Sequence, residues 1–216
     1  MKIATITLVL AWALAVIGAG CTTMENSSRN LGDPSVHGKT LARQVCSDCH
    51  GVTGNSVNPT FPKLAGQQKG YLIDQLKGFK SHNRMDPPGF EYMWGISRNL
   101  TDAQIQELAA YFSAQKPNAD KPGNAKLENA GKAIFANGVP AKGVQACSMC
   151  HGTDGAGNEQ HPRIAGQHAN YIVKQLLVYQ RTKQRPEGAE MKMVAHHLTP
   201  EDIQAVAAYA STIASK

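Results

Sequence analysis

Apolar residues recur at helical spacing in several stretches of the chain, and the strict alternation typical of a strand is missing. The clearest stretch follows Thr101, which has Gln104 three residues later. This pair is the sequence pattern of a capping box, which marks the start of a helix. The residues behind it repeat every three or four positions, as in an amphipathic helix; they are Ile105, Leu108, Ala109 and Phe112. We therefore predict an all-α fold.

The same pattern returns in the second half of the chain, after Thr199. Pro200 stands there at the first helical position, where its missing N–H costs nothing. The apolar stripe behind it consists of Ile203, Val206, Ala207 and Ala210. Segment 61–67 (F-P-K-L-A-G-Q) also returns as 161–167 (H-P-R-I-A-G-Q), and segment 71–76 returns as 171–176. Repetition at this density predicts a duplicated domain.

Each half is expected to hold three helices. The first covers 38–45, with 131–136 as its copy, and the second covers 71–80 and 171–181. The third follows Thr101 and Thr199. Gly38 precedes Cys46 by eight residues, whereas Gly131 precedes Cys147 by sixteen. The second half therefore carries an insertion around 137–140, where glycine and proline predict a loop.

A five-residue motif occurs once in each half, as C-S-D-C-H at 46–50 and as C-S-M-C-H at 147–151. A C-x-x-C-H run is the attachment pattern of c-type haem. Each thiol forms a thioether with a haem vinyl group, and the histidine becomes the proximal iron ligand. We therefore predict two covalently bound haem c groups, attached through Cys46, Cys49, Cys147 and Cys150, with iron bound by His50 and His151.

Two other uses of paired cysteines fit less well. Zinc ribbons and fingers bring their ligand pairs within about twenty residues of each other, whereas these pairs are 147 − 46 = 101 residues apart. A thioredoxin-like redox pair is expected beside a strand–helix–strand pattern, and the sequence has none.

The sixth iron ligand is predicted from the alignment of the two halves. Met93 precedes Leu100 by seven residues, and Met191 precedes Leu198 by seven. Methionine opposite histidine gives an iron suited to carrying electrons. We expect both methionines in irregular segments before the last helix of their half, with Met193 as the competitor of Met191. The other candidates lack a counterpart in the other half. Met85 and Met149 are assigned to packing, and three histidines are assigned to packing or to the solvated surface: His82, His196 and His197.

Pro62 and Pro162 are predicted to serve the proximal histidines. A metal-bound histidine usually donates its second ring N–H to a carbonyl. The fixed φ of proline holds the backbone, and therefore such a carbonyl, in place. The alternative is a proline that only stops a helix.

The halves are expected to span 36–116 and 127–216, with a linker at 117–126 that is rich in Pro, Asn and Gly. Residues 1–20 hold one lysine and an apolar run, which predicts a signal peptide; a membrane anchor of borderline length is the alternative. Residues 21–35 are polar and predict a flexible tether. Small residues before Cys21 resemble a lipoprotein cleavage site, although Gly18 departs from the pattern. Lipid on Cys21 is left open, and either reading predicts export.

Composition excludes some functions. Hydrophobic residues make up 42% and charged residues 18% of the chain, as in soluble globular proteins. The net charge of +6 suits docking to an acidic partner or an anionic membrane surface, and nothing in it indicates nucleic-acid binding. The basic run at 181–185 has two interpretations, a docking site for an acidic redox partner or an ordinary solvated helix end.

Residues 36–216 resemble the dihaem cytochrome c4 family. The resemblance rests on the two C-x-x-C-H motifs, the paired P-x-x-A-G-Q segments, the Y-x-x-x-Q-L helices and the M-x-x-x-x-x-x-L-T pattern before each last helix. The resemblance implies two class I cytochrome c domains related by a pseudo-twofold axis. It implies His/Met ligation, by His50 with Met93 and by His151 with Met191. It further implies a periplasmic protein that passes single electrons toward terminal oxidases. The chain departs from the family pattern at its start, where the long tether after Cys21 and the lipid site at that residue suggest membrane association.

The leading hypothesis is therefore an electron carrier, not an enzyme, that receives electrons from a membrane-bound donor complex and uses no small-molecule substrate. The alternative is the haem subunit of a periplasmic dehydrogenase that oxidises thiosulfate, sulfide or an alcohol. A catalytic haem would have a weak or missing distal ligand, and neither half shows that pattern. A gas sensor would need an open iron and a signalling module, for which the chain has no room.

Overall fold

The computed structural model describes residues 29–87 and 89–214. The predicted signal peptide, the lipid site at Cys21 and most of the predicted tether lie outside the described residues. Within these two ranges, all regular secondary-structure elements are helices, and no helix is long and apolar enough to span a membrane.

The first half begins with an unbroken helical stretch. It runs as α1 (Gly38–Leu41), continues as a π-helical segment (Ala42–Cys46) and ends as α2 (Ser47–His50). The remaining helices of this half are α3 (Lys69–Lys80), α4 (Gly89–Ser97) and α5 (Asp102–Ser113). The predicted first helix therefore extends through the cysteine motif.

The second half repeats this order with a longer first helix. Its helices are α6 (Ala125–Asn137), α7 (Ser148–His151), α8 (Ala169–Arg181), α9 (Ala189–His196) and α10 (Pro200–Thr212), with short 3₁₀ turns at Pro140–Lys142 and Pro186–Gly188. Helix α6 starts inside the segment predicted as linker. Its start is set by Asn124, whose side-chain oxygen accepts a hydrogen bond from Leu127 N at 3.1 Å.

Several sequence predictions are confirmed. The middle helices match, each with two more residues at its start. Gln104 N donates to Thr101 Oγ1 at 3.2 Å, and Thr101 N donates to Gln104 Oε1 at 2.9 Å, which completes the capping box. Thr199 caps α10 in the same way, with Asp202 as its partner. The insertion forms a loop closed by two hydrogen bonds between Val139 and Val144.

The placement of the methionines was predicted wrongly. Met93 lies in helix α4 and Met191 in helix α9, whereas both were expected in irregular segments. These helices have only nine and eight residues. Two turns are too short for a periodic apolar pattern to stand out in the sequence.

The described end of the predicted tether is packed rather than free. Gln104 Nε2 donates to the carbonyl oxygens of Asp33 and Val36, both at 2.9 Å. Val36 itself is buried. Residues 33–36 therefore belong to the first half, and any tether must lie before them.

Each half has its own apolar core where its first and last helices cross. Gly38 and Gly131 allow these crossings, because a Cβ at Gly38 would lie 2.5 Å from Glu107 Cβ and one at Gly131 would collide with Ala205 O. The main core residues are Leu41, Leu72, Leu100, Ile105, Leu108 and Phe112 in the first half, and Phe135, Leu176, Leu198, Ile203 and Val206 in the second.

The halves meet at an interface in which each supplies the same glutamine. Gln67 bonds to the backbone of Arg163, and Gln167 bonds to the backbone of Lys63. The linker lies along the same seam. Asp120 accepts from Lys63 Nζ at 2.7 Å, and its N–H donates to Ser211 O at 2.9 Å. These reciprocal contacts are those of a two-fold arrangement.

The glycine crossing gives a first prediction. Gly131→Ala should lower the free energy of unfolding by about 2 kcal/mol, because the new methyl group overlaps the backbone of α10. Urea denaturation of the haem-loaded protein measures this. Gly70→Ala is the matched control, because nothing lies within 4 Å of its Cβ position. It should leave stability unchanged or raise it by about 0.5 kcal/mol. Equal effects of the two substitutions would contradict the close crossing.

Candidate haem-binding sites

Both cysteine motifs lie on a helical turn that ends directly after the histidine. Cys46 closes the π-helical segment, and Cys49 and His50 follow in α2. Residues three and four apart share one face of a helix. Both thiols and the imidazole therefore project to the same side. Gly51 ends this turn with φ of 75°, and Gly152 ends the second copy with φ of 79°, a backbone conformation that glycine adopts without strain.

The histidines are buried and held through one ring nitrogen. His50 is 7% exposed and His151 is 6% exposed. His50 Nδ1 lies 2.8 Å from Pro62 O, and His151 Nδ1 lies 2.8 Å from Pro162 O. An Nδ1–H that donates to a carbonyl leaves Nε2 with its lone pair for a metal.

The electrostatics favour the ligating form of both rings. Burial lowers the pKa of His50 and His151, and the hydrogen bond to the proline carbonyl opposes this only in part. The imidazoles are therefore neutral, as metal ligation requires. Burial also raises the pKa of the Cys46 thiol to about 12 and that of Cys147 to about 11. All four thiols are free of disulfides, so this donor set fits a thioether-linked haem.

The proline carbonyls are positioned by a fold-back of the loop. Gly54 O accepts hydrogen bonds from Leu64 N at 2.7 Å and Ala65 N at 3.1 Å. Gly155 O does the same with Ile164 N and Ala165 N. In each loop, these hydrogen bonds join the segment before the proline to the segment after it.

The candidate methionine ligands differ in how far their side chains are exposed to solvent. Met191 is partly buried and packs against the core of the second half, and Met93 is also partly buried. Met193 is 69% exposed. Residues two apart on a helix point in nearly opposite directions. This geometry favours Met191 over Met193 as an inward-facing ligand.

The remaining candidates lie at the surface. Met149 is 72% and Met85 is 43% exposed. His196 and His197 are exposed and contact each other edge to face, and exposed His82 contacts Phe90 and Trp94. The expectation that Met85 and Met149 serve packing is therefore wrong, because both side chains lie at the surface. The surface positions of the three histidines agree with the roles assigned to them.

Sequence reasoning missed a ring contact beside each histidine. Phe61 meets His50 edge to face with centroids 6.2 Å apart, and His161 meets His151 in the same way at 6.1 Å. The contact continues differently in the two halves. Phe61 touches the Tyr92 ring at 6.4 Å, whereas His161 Nε2 lies 3.7 Å from Glu190 Oε2. The sequence signal that could have revealed these contacts is the first residue of the two repeated segments, which is Phe61 in one and His161 in the other.

The docking interpretation of the basic run is wrong for Arg185. This residue is 5% exposed and donates to Gln175 Oε1 at 2.6 Å and Gln75 Oε1 at 2.8 Å. Its guanidinium stacks over the Tyr179 ring at 4.8 Å. Arg84, which sequence reasoning also missed, has the equivalent place in the first half. Both charges are held by amide acceptors, by aromatic faces and by one carboxylate each, Asp86 for Arg84 and Glu187 for Arg185.

Both halves of the chain are similar to known proteins. The profile of the family described as cytochrome c matches residues 35–116 and again residues 128–214. A cytochrome c4 from Azotobacter vinelandii is 37% identical over 174 residues, which cover 76% of this chain and 82% of that protein. The crystal structure of reduced recombinant cytochrome c4 from Pseudomonas stutzeri has a TM-score of 0.74 at 36% identity, and covers 84% of this chain and 99% of its own.

The chain belongs to the cytochrome c4 family. As a cytochrome c4 it is an electron-transfer protein with two cytochrome c domains and two covalently bound haem c groups. A protein of Thiomonas intermedia named thiosulfate dehydrogenase electron acceptor is also similar, at 35% identity over 170 residues that cover 75% of each chain.

The ligand assignment gives a second prediction. Met191→Ala should open one iron, so that the reduced protein binds carbon monoxide at one of its two haems while the thioethers keep that haem attached. Met193→Ala is the matched control and should leave both haems closed. Absorption spectra with and without carbon monoxide measure both variants. Carbon monoxide binding by Met193→Ala alone would transfer the assignment to Met193.

Proposed function

We propose that this cytochrome c4 is a periplasmic carrier of single electrons between a membrane-bound respiratory donor and a terminal oxidase or another acceptor. The observation that carries the proposal is the equivalence of the two sites. Each half presents two thiols and a buried neutral imidazole on one side of a helical turn, with Nδ1 held 2.8 Å from a proline carbonyl. Two sites built alike suit two haems with the same task.

The proposed ligands are His50 with Met93 and His151 with Met191, and the proposed thioethers are on Cys46, Cys49, Cys147 and Cys150. Histidine and methionine would together ligate each iron, which would raise its reduction potential and leave no place for a substrate. The residues around each site supply orientation and burial. Pro62 and Pro162 fix the imidazole rings, and the helical cores keep water from them.

The proposed location is the periplasm. The apolar run at 1–20 supports export, and haem attachment through thioethers suits a protein outside the cytoplasm. Lipid on Cys21 stays a prediction, and the mass of the mature protein purified from membranes tests it.

A third prediction tests the carrier function directly. The purified protein should contain two haems per chain, and absorption spectra should show both as low-spin in the oxidised and the reduced form. The reduced protein should not bind carbon monoxide, because both distal positions are filled. One haem that binds carbon monoxide readily would indicate an open iron and would favour an enzymatic site.

We propose as a second candidate function that the chain is the electron-accepting haem subunit of a thiosulfate dehydrogenase. The similarity to the Thiomonas intermedia protein favours it. The carrier chemistry is the same in both cases, and only the donor differs.

A fourth prediction separates the two roles. If the donor is a thiosulfate dehydrogenase, the oxidised protein should be reduced by thiosulfate in the presence of a purified bacterial enzyme of that class, and not by thiosulfate alone. Stopped-flow absorbance of the reduced haem measures this. Rapid oxidation of the reduced protein by oxidase-containing membranes, without reduction by the enzyme and thiosulfate, would support the respiratory role instead.

A further inference from the structure

Four hydrogen bonds form a reciprocal clamp between the two halves. Lys63 N donates to Gln167 Oε1 at 2.9 Å, and Gln167 Nε2 donates to Lys63 O at 2.9 Å. Arg163 N donates to Gln67 Oε1 at 2.8 Å, and Gln67 Nε2 donates to Arg163 O at 2.9 Å. Each glutamine therefore binds both backbone groups of one residue in the opposite half.

The clamped residues are the immediate neighbours of the proximal prolines. Lys63 follows Pro62, whose carbonyl lies 2.8 Å from His50 Nδ1, and Arg163 follows Pro162, whose carbonyl lies 2.8 Å from His151 Nδ1. A change in the backbone at 63 or 163 moves the preceding carbonyl, because the two share one peptide plane. The glutamine of one half is thus a single residue away from the acceptor of the other half's histidine.

The glutamines are preorganised for this contact. Gln67 is 7% and Gln167 is 8% exposed. Gln67 Oε1 also accepts from Gln68 N at 2.9 Å, and Gln167 Oε1 accepts from His168 N at 3.0 Å. Each side chain is therefore anchored to the start of its own helix, α3 or α8. Loss of one glutamine would leave buried backbone groups of the other half without partners, which is costly.

We propose that Gln67 and Gln167 are positioning residues that act crosswise, each orienting the proximal histidine of the haem in the opposite half. The proposal rests on the proposed function, in which His50 and His151 bind the irons. A hydrogen bond from Nδ1–H to a carbonyl makes the imidazole a stronger donor to the metal. A stronger donor stabilises the oxidised iron, so loss of the clamp shifts electrons toward the haem whose histidine has been loosened.

The fifth prediction follows from this crossing. Gln167→Met should move the electron of the half-reduced protein toward the haem on Cys46 and Cys49, and Gln67→Met should move it toward the haem on Cys147 and Cys150. Each shift should change the distribution by about threefold to tenfold, which is less than the roughly 10–100-fold effect of losing a group bonded directly to a metal ligand, because the glutamine acts one residue further away. Methionine keeps the side-chain length and removes the hydrogen bonds. NMR signals of the two haems, assigned in protein given one electron per molecule, measure the distribution.

Two further variants complete the test. Gln68→Ala is the control, because Gln68 Nε2 also bonds across the interface, to Ala156 O at 2.9 Å, but does not reach a residue beside either proline. It should leave the distribution unchanged. Gln167→Glu keeps an acceptor for Lys63 N and should therefore show a smaller shift than Gln167→Met; it also serves if Gln167→Met fails to fold.

The outcomes separate the two proposals. A shift toward the haem in the same half as the substitution, no shift in either variant, or an equal shift in Gln68→Ala would overturn the crosswise role while two low-spin haems remained. An unsubstituted protein without two low-spin haems would overturn the proposed function itself.

Discussion

Each half of the molecule depends on one hydrogen bond, from a buried imidazole Nδ1 to a proline carbonyl 2.8 Å away. The bond joins segments that are 12 residues apart in the first half and 11 in the second. The chain must therefore turn sharply after the histidine and fold back. Gly51 and Gly152 make the turn with positive φ, and Gly54 and Gly155 receive the returning backbone. A buried ring nitrogen without this partner would be costly, so loop and helix form one unit.

A second constraint is the charge buried between the halves. Asp86 is fully buried and accepts from Arg84 Nε at 2.7 Å and from Gln175 Nε2 at 2.9 Å. Burial alone would raise the pKa of Asp86, but Arg84 and the hydrogen bonds hold it below its usual value. Gln75 Oε1 accepts from both buried arginines, one from each half. Such a network adds little stability compared with apolar packing, and it admits few arrangements of the two halves.

Local signals in the sequence predicted much of this structure. Capping by Thr101 and Thr199, the helical stripes and the cysteine motifs depend on residues within one or two turns, so they can be read from spacing alone. The methionine helices were missed because they are short. The burial of Arg185 was missed because its acceptors Gln75 and Gln175 are 110 and 10 residues away in sequence, so neither pairing can be read from local spacing. Asn124 is a good cap in a segment whose proline and glycine suggested only a linker.

The ring contacts beside the histidines show what duplication left unequal. At matched positions the first half holds Phe61 against Tyr92, and the second holds His161 near Glu190. Two aromatic rings that meet edge to face form an apolar contact, whereas an imidazole nitrogen 3.7 Å from a carboxylate oxygen forms a polar one. Two copies of one domain therefore surround their proximal histidines with chemically different groups, despite the internal symmetry of the molecule.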